Sequence, residues 1–349
     1  VGYHTGLVGK WHLGGTAPFH PQQRGFADFF GFLHEGRYFE PEIGKGNTTW
    51  LRRKSLPAGA MGRWTSPDGR LIESDHLKSD EPEYNKDNPM MRGEKAIEEP
   101  RNLTDAFTHE AMDFFDRSKE KPFFLYLAYN AVHSPMQGTD AHMARFKDIP
   151  DVQRRIFAAM LTHLDESVGK LMAKLDTNGQ TENTIIVFLS DNGGPTRELT
   201  SSNFPLRGEK GQLLEGGIRV PYTVTWPGVT KPGTVIKTPV IATDLTAMAL
   251  AAAGVATPAD ADGKDLRNLL VNPDAGPLHE TLYWRVGKNA ALRSGKWKLF
   301  RGGPRWELYD LEADPSEKRE VSASHQELTK TLIARWEAWS KTQAEPLWR

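Results

Sequence analysis

"NTIIVFLSDNGG", residues 183–194, is the stretch from which the fold is read. Its first half is a short apolar run, the pattern of a strand covered on both faces, and it gives way at once to Ser190, Asp191, Asn192, Gly193 and Gly194. A strand thus delivers polar side chains at its carboxyl end. Working outward, "PFFLYLAY" (122–129) repeats the pattern and leads to Asn130 and His133, while "TGLV" (5–8) stops at Gly9-Lys10, with His12 just beyond. Helical periods separate these strands. Phe107, Ala111, Phe114 and Phe115 recur at helical spacing behind Thr104 as N-cap. Phe157, Met160, Leu161, Leu164, Val168, Leu171, Met172 and Leu175 line one face of a second helix that "TNGQ" ends. Buried-type strands alternating with helices predict an α/β fold, a central, mostly parallel sheet between helices. In such sheets ligands bind beyond the carboxyl ends of the strands, which places Lys10, His12, His133, Asp191 and Asn192 in one crevice.

"RVPYTVTWPG" (219–228) reads as a further strand and "TDLTAMALAAAG" (243–254) as a helix stopped by Gly254. From Pro277 the grammar changes. "TLYWRV", "AALRSG", "WKLFRG" and "WELYDL" are short strands at turn-punctuated spacing, followed by a helix over 326–341. The chain therefore divides into a larger domain, 1–276, and a small α+β domain, 277–349, holding an antiparallel sheet and a helix. Residues 37–101, rich in Gly, Pro and charge, read as a long surface excursion rather than core.

The totals narrow the function. A length of 349 residues suits one large α/β domain with a smaller unit. Lys and Arg number 44 against 45 Asp and Glu, and a net charge of -1 gives no broad attraction for nucleic acid or an anionic membrane. The absence of cysteine removes disulfides, thiolate metal sites and Cys nucleophiles together. The longest apolar run, "LTAMALAAAGV" (245–255), is about half of the roughly 20 residues a membrane span needs.

Asp191 and Asn192 offer a carboxylate and an amide oxygen, hard donors that suit Ca2+ or Mg2+ and select poorly for Zn2+. Taken alone, they equally fit an Asx turn capping the Gly-Gly loop. His133 suits protonation of a leaving group or anion binding, and equally a hydrogen-bonded structural histidine. If the chain stays extended, Lys10 and His12 point one way while Trp11 and Leu13 pack the other; a solvated face would look the same. "PLRGEKGQLLEGGIRVP" (205–221) combines Arg207, Lys210, Glu215 and Arg219 with glycines, as where backbone approaches a ligand and cations meet an anion, without the spacing of a P-loop. Composition and spacing reach a binder of a small anion with a hard metal; they do not name a reaction.

The wording of the blocks goes further. "GYHTGLVGKWHLG" (2–14) resembles the second signature of the type I, formylglycine-dependent sulfatases of the alkaline-phosphatase-like superfamily. "KPFFLYLAYNAVHSPMQ", "NTIIVFLSDNGG", "PLRGEKGQLLEGGIRVP" and "ALRSGKWKLF…WELYDLEADPSE" resemble later blocks of that family in the same order, over essentially the whole chain. The resemblance implies an alkaline-phosphatase-like sandwich, with 1–276 as the sulfatase catalytic domain, and hydrolysis of a sulfated sugar or aryl sulfate. It makes Asp191 and Asn192 ligands of Ca2+ in preference to Mg2+, with Asp191 also the base that activates the nucleophile. Lys10 and His12 would hold the formylglycine hydrate, and His133 and Lys210 would bind sulfate oxygens and assist departure of the alcohol. Charge piling onto the sulfuryl oxygens during attack is what a metal and cationic groups stabilise.

This sequence departs from the family in two features. The Cys or Ser followed by x-Pro-Ser-Arg that becomes formylglycine is absent, as is an earlier Asp-Asp pair of metal ligands. Both stand upstream of the second signature in the family, so Val1 is expected to be an internal residue and these 349 residues to be inactive alone. The resemblance also implies a formylglycine-generating enzyme as partner and a periplasmic or extracellular location. Two alternatives stay open: a phosphodiesterase or phosphonate hydrolase of the same superfamily, and a non-enzymatic remnant that binds sulfated glycans.

Overall fold

The structure, a computed structural model, describes residues 1–345; positions 346–349 of the expected small domain lie outside the described residues. Two units are distinguished: Gly2–Asn183 with Arg197–Ser201, and Thr184–Thr196 with Val1 and residues 202–345.

The first unit is built on a five-stranded sheet in the order Lys95–Ile97, Met90–Arg92, Asp28–Phe32, His4–Lys10, Phe123–Ala128. The last three strands are parallel, with Val8 opposite Phe30 on one side and Leu127 on the other, and the two short strands continue antiparallel. The helix Leu103–Arg117 begins where the Asn102 side chain accepts from the Thr104 N–H, so the cap lies two residues before the expected one. That helix sets Phe107 against Phe30 and Phe32. Helix Val152–Thr177, capped by Asp151, adds Ile156 and Met160 to the same core, where each fully buried side chain is worth about 1.5–3 kcal/mol. Met160, Leu164, Leu171 and Leu175 form its buried stripe; Leu161 and Met172, on the flank of that stripe, stay exposed.

Composition misled over residues 37–101. Far from being a surface excursion, the segment supplies three strands of a second sheet, ordered Arg63–Thr65, Leu71–Ser74, Asn47–Arg52 and Met136–Thr139, with Trp50, Leu51 and Ile72 wholly buried. Polar side chains, one from the segment and one from the strand Met136–Thr139, satisfy its backbone inside the fold. The Asn47 side chain accepts from the Gly44 N–H and donates to the carbonyls of Glu42 and Lys45, and Gln137 Oε1 accepts from the Phe39 and Glu40 amides.

The second unit holds a two-stranded antiparallel pair, Ile186–Leu189 with Tyr222–Thr225, and the helix Asp244–Ala252. The four expected strands at the C-terminal end form an antiparallel sheet in chain order: Leu282–Val286, Asn289–Ser294, Trp297–Arg301 and Glu307–Asp310. Helix Gln326–Thr342 covers it with Leu332 and Trp336, which pack on Leu292, Leu299 and Leu308. Two expectations need correction. The strand at 186–189 pairs antiparallel rather than extending the parallel set, and neither it nor Phe123–Ala128 is covered on both faces. Strand alternation explains the second point: Leu125 and Leu127 pack into the core while Phe124 and Tyr126 face the other way, 45% and 48% exposed.

Candidate active site

In the first unit, strand His4–Lys10 ends on Lys10, and the chain then follows the neighbouring strand through Trp11 N–H to the Phe32 carbonyl (3.0 Å) and His12 N–H to the Leu33 carbonyl (3.1 Å). Trp11 Nε1 donates to the Phe19 carbonyl at 2.8 Å. His12 adopts φ 58°, a left-handed conformation that costs a non-glycine residue about 1–3 kcal/mol and persists only where the surroundings impose it. The expected extended alternation therefore fails. Lys10 closes a strand, His12 sits on a left-handed turn, and Leu13 is exposed rather than packed.

The adjacent parallel strand pairs Ala128 with Gly9 and the chain continues to Asn130 and His133, so Lys10 lies at, and His133 past, the carboxyl ends of neighbouring strands. His133 N–H donates to the Asn130 carbonyl (2.9 Å), and its Nδ1 donates to the Ser134 carbonyl (2.7 Å). A carbonyl only accepts, which assigns a proton to Nδ1. Ser134 Oγ donates to Glu198 Oε1 (2.7 Å), and Arg52 stands 3.5 Å from Glu198 and 3.4 Å from Glu81, whose carboxyl is pushed up by burial. This brace behind His133 escaped sequence reading, because Arg52, Glu81 and Glu198 are far apart in the chain and each reads as surface charge.

In the second unit, Ser190–Gly194 follows the strand at 186–189 as a turn. Asp191 Oδ1 accepts from the Asn192 N–H (2.9 Å), Asn192 Nδ2 donates to the Gly193 carbonyl (2.9 Å), and Ser190 Oγ donates to the Asn192 carbonyl (2.9 Å). Gly193 N–H donates to the Gly217 carbonyl at 3.0 Å. Asn203 joins the turn to the next loop: its Oδ1 accepts from the Gly194 N–H, and its Nδ2 donates to the carbonyls of Gly194 and Gly208. Lys210 N–H reaches the Gly194 carbonyl at 3.5 Å, and Thr196 Oγ1 donates to Glu209 Oε2 at 2.8 Å. The glycines are needed for contact. A methyl on Gly193 would fall 2.8 Å from the Gly216 carbonyl carbon and 3.0 Å from Gly217 Cα, closer than side chains pack.

The structure thus joins Asp191, Asn192 and Lys210 in the second unit and places Lys10, His12 and His133 in the first. Arg207, one of the cations read as meeting an anion, is otherwise engaged, donating to the Glu317 carbonyl and the Tyr309 hydroxyl, and Glu215 of the same block is buried against Lys298. Asp191 and Asn192 have the hard-oxygen chemistry Ca2+ takes, but among the described residues no group of three or more His, Asp or Glu side chains could hold a metal. The pair is a partial donor set against the roughly 6–8 oxygens of a Ca2+ site. Among the described residues no helix is long and apolar enough to cross a membrane.

A family model described as Sulfatase matches residues 1–255, and one described as N-sulphoglucosamine sulphohydrolase, C-terminal, matches residues 209–342. The chain belongs to the sulfatase family. Arylsulfatase J of Mus musculus is 30% identical over 98% of this chain and 61% of its own length. N-acetylgalactosamine-6-sulfatase of Canis lupus familiaris is 31% identical over 85% of this chain and 52% of its own. The crystal structure of Ps i-CgsB, 32% identical, matches with a TM-score of 0.83 over 99% of this chain and 73% of that one, and another shows Ps i-CgsB in complex with k-i-k-neocarrahexaose. The chain thus spans 61% and 52% of the two curated relatives. Its fold is the alkaline-phosphatase-like α/β class, a mixed sheet with helices and a small antiparallel C-terminal sheet.

Proposed function

We propose that the protein serves as a sulfatase, hydrolysing a sulfate ester of a sulfated carbohydrate, with aryl sulfates as simple surrogates. The observation that carries the reading is the hydrogen-bonded lattice that ties the Asp191-Asn192 turn to the Lys210 loop, because an acceptor for protons and a cation for sulfuryl oxygens are wanted together. In this reading Lys210 and His133 donate to sulfuryl oxygens and to the departing alcohol oxygen, offsetting charge that grows during attack. The Nδ1–H···O bond to Ser134 orients the ring so that Nε2 makes the transfer. Asp191 accepts the proton of the nucleophile, and Lys10 and His12 hold it, with His12 aiding release of sulfate.

Ca2+, in preference to Mg2+, would take Asp191 and Asn192 as two of its oxygens and would neutralise charge on the sulfuryl group. The 349 residues hold no cysteine and no Ser in the x-Pro-Ser-Arg pattern. The formylglycine precursor therefore belongs outside them, its maturation to a formylglycine-generating enzyme, and the 349 residues alone are inactive. The same reading keeps 1–276 as catalytic domain and 277–349 as C-terminal domain, and a periplasmic or extracellular location. The test is hydrolysis of 4-nitrophenyl sulfate with Ca2+, comparing these residues with a version carrying the coding sequence upstream of Val1 and co-expressed with the maturing enzyme. Turnover by the longer protein alone supports the proposal. Failure of both, with retained binding of a sulfated oligosaccharide, replaces it with the glycan-binding reading.

A further inference from the structure

The Lys210 loop is fastened at both ends to one residue. Arg207, before Lys210, donates to the Glu317 carbonyl at 2.6 Å; Glu215, after it, donates its N–H to Glu317 Oε2 at 2.7 Å. Glu317 itself is wholly buried at φ 52°, and Ser316 beside it donates to the Pro205 carbonyl at 2.7 Å. Lys298, also wholly buried, sets Nζ 2.8 Å from Glu215 Oε1 and 3.1 Å from Glu317 Oε1. Lys298 is paired across the sheet with Arg293, which approaches Glu215 Oε2 at 3.6 Å. Two cations opposed on neighbouring strands repel, and here two buried carboxylates balance them.

We infer that Glu317 and Lys298 are positioning residues: they clamp the loop 207–215 to the C-terminal sheet and so hold Lys210, and through the Gly193–Gly217 bond the Asp191-Asn192 turn, in register. Buried ion clusters contribute little to stability compared with apolar residues of the same volume, and their best-attested use is to select one arrangement over others. This one joins the two backbone segments on either side of Lys210 to a single rigid sheet. The inference rests on the sulfate-binding role proposed for Lys210.

The test is amide hydrogen exchange in the 349-residue chain, with 4-nitrophenyl sulfate binding measured beside it. Glu317→Gln keeps an acceptor for the Glu215 amide and is the conservative control, expected to exchange as wild type. The double variant Lys298→Met with Glu317→Ala removes that acceptor and the buried lysine together and leaves Glu215 balanced by Arg293, which guards against misfolding from an unpaired buried charge. Expected in the double variant is exchange faster by at least about tenfold across 190–217, with 289–301 and 326–342 protected as in wild type, and weaker binding. Unchanged exchange over 190–217 in the double variant, or a rise spread evenly over all these segments, overturns the clamp. Lys210→Ala separates the two layers: lost binding with normal protection is expected, whereas normal binding there removes the role of Lys210 while leaving the exchange result to judge the clamp.

Discussion

Gly193→Ala tests whether the two site loops of the second unit are held by direct backbone contact. No positive φ forces glycine at this position; the obstacle is space, since the new methyl would lie 2.8 Å from the Gly216 carbonyl carbon and nearer still to its oxygen. Neither neighbour is a flexible side chain that can swing aside. Relief requires the loops to part, which stretches the Gly193–Gly217 hydrogen bond of 3.0 Å. Overpacking of this kind costs about 1–3 kcal/mol, and losing the bond adds about 0.5–1.5 kcal/mol, so about 2–4 kcal/mol is expected. For a unit of this size that lowers the melting temperature by roughly 4–16 °C. Differential scanning calorimetry reads it against Gly303→Ala in the same unit, where a methyl meets nothing within 4 Å and the expected shift is within about 1 °C. A Gly193→Ala melting temperature matching that control would refute the close approach, and with it the idea that Asp191 and Lys210 move as one piece.

Two further substitutions probe the first unit. Gly169 lies inside the helix Val152–Thr177 with open space around a built methyl, so Gly169→Ala should stabilise by about 0.5–1 kcal/mol, seen as a higher urea midpoint at unchanged slope; a lower midpoint contradicts the helix. Asp105, 3.1 Å from His163 Nε2 and in the first turn of its helix, has its carboxyl held below the usual value chiefly by that hydrogen bond. Its contribution is present above the unfolded pKa and fades as pH falls through the depressed folded one. Asp105→Asn should therefore cost about 0.5–1 kcal/mol at pH 7, kept small by exposure, and progressively less below about pH 4. A gap between the two urea midpoints that stays constant or widens on acidification rules this out.

What could be read in the sequence was what local pattern encodes. The 3.6-residue period of Phe107, Ala111 and Phe114 survives because those side chains share one face whatever lies beyond it, and all are buried. The C-terminal strands carry their own turns, so their antiparallel order followed from spacing. Segment 37–101 defeated the same method because its strands are three to six residues long and one is paired with Met136–Thr139, far along the chain. Lys298 defeated it for another reason. A lysine in the strand Trp297–Arg301 reads as solvent-facing, and only the arrival of Glu215 and Glu317 makes its complete burial tolerable.

The site shows the same limit in finer form. Spacing left Asp191-Asn192 undecided between an Asx turn and a metal pair, and the hydrogen bonds are not those of an Asx turn: the N–H groups two residues on, of Gly193 and Gly194, go to the Gly217 carbonyl and to Asn203 Oδ1. Each side chain instead bonds the residue that follows it, through Asp191 Oδ1 and the nitrogen of the Asn192 amide. Because Nδ2 is committed to the Gly193 carbonyl, the amide cannot flip, and its oxygen is fixed in identity along with the second carboxylate oxygen of Asp191. Those two oxygens are the hard donors a divalent cation takes. These local bonds would present them, and the glycines that follow let the Lys210 loop come close enough to share the same backbone lattice.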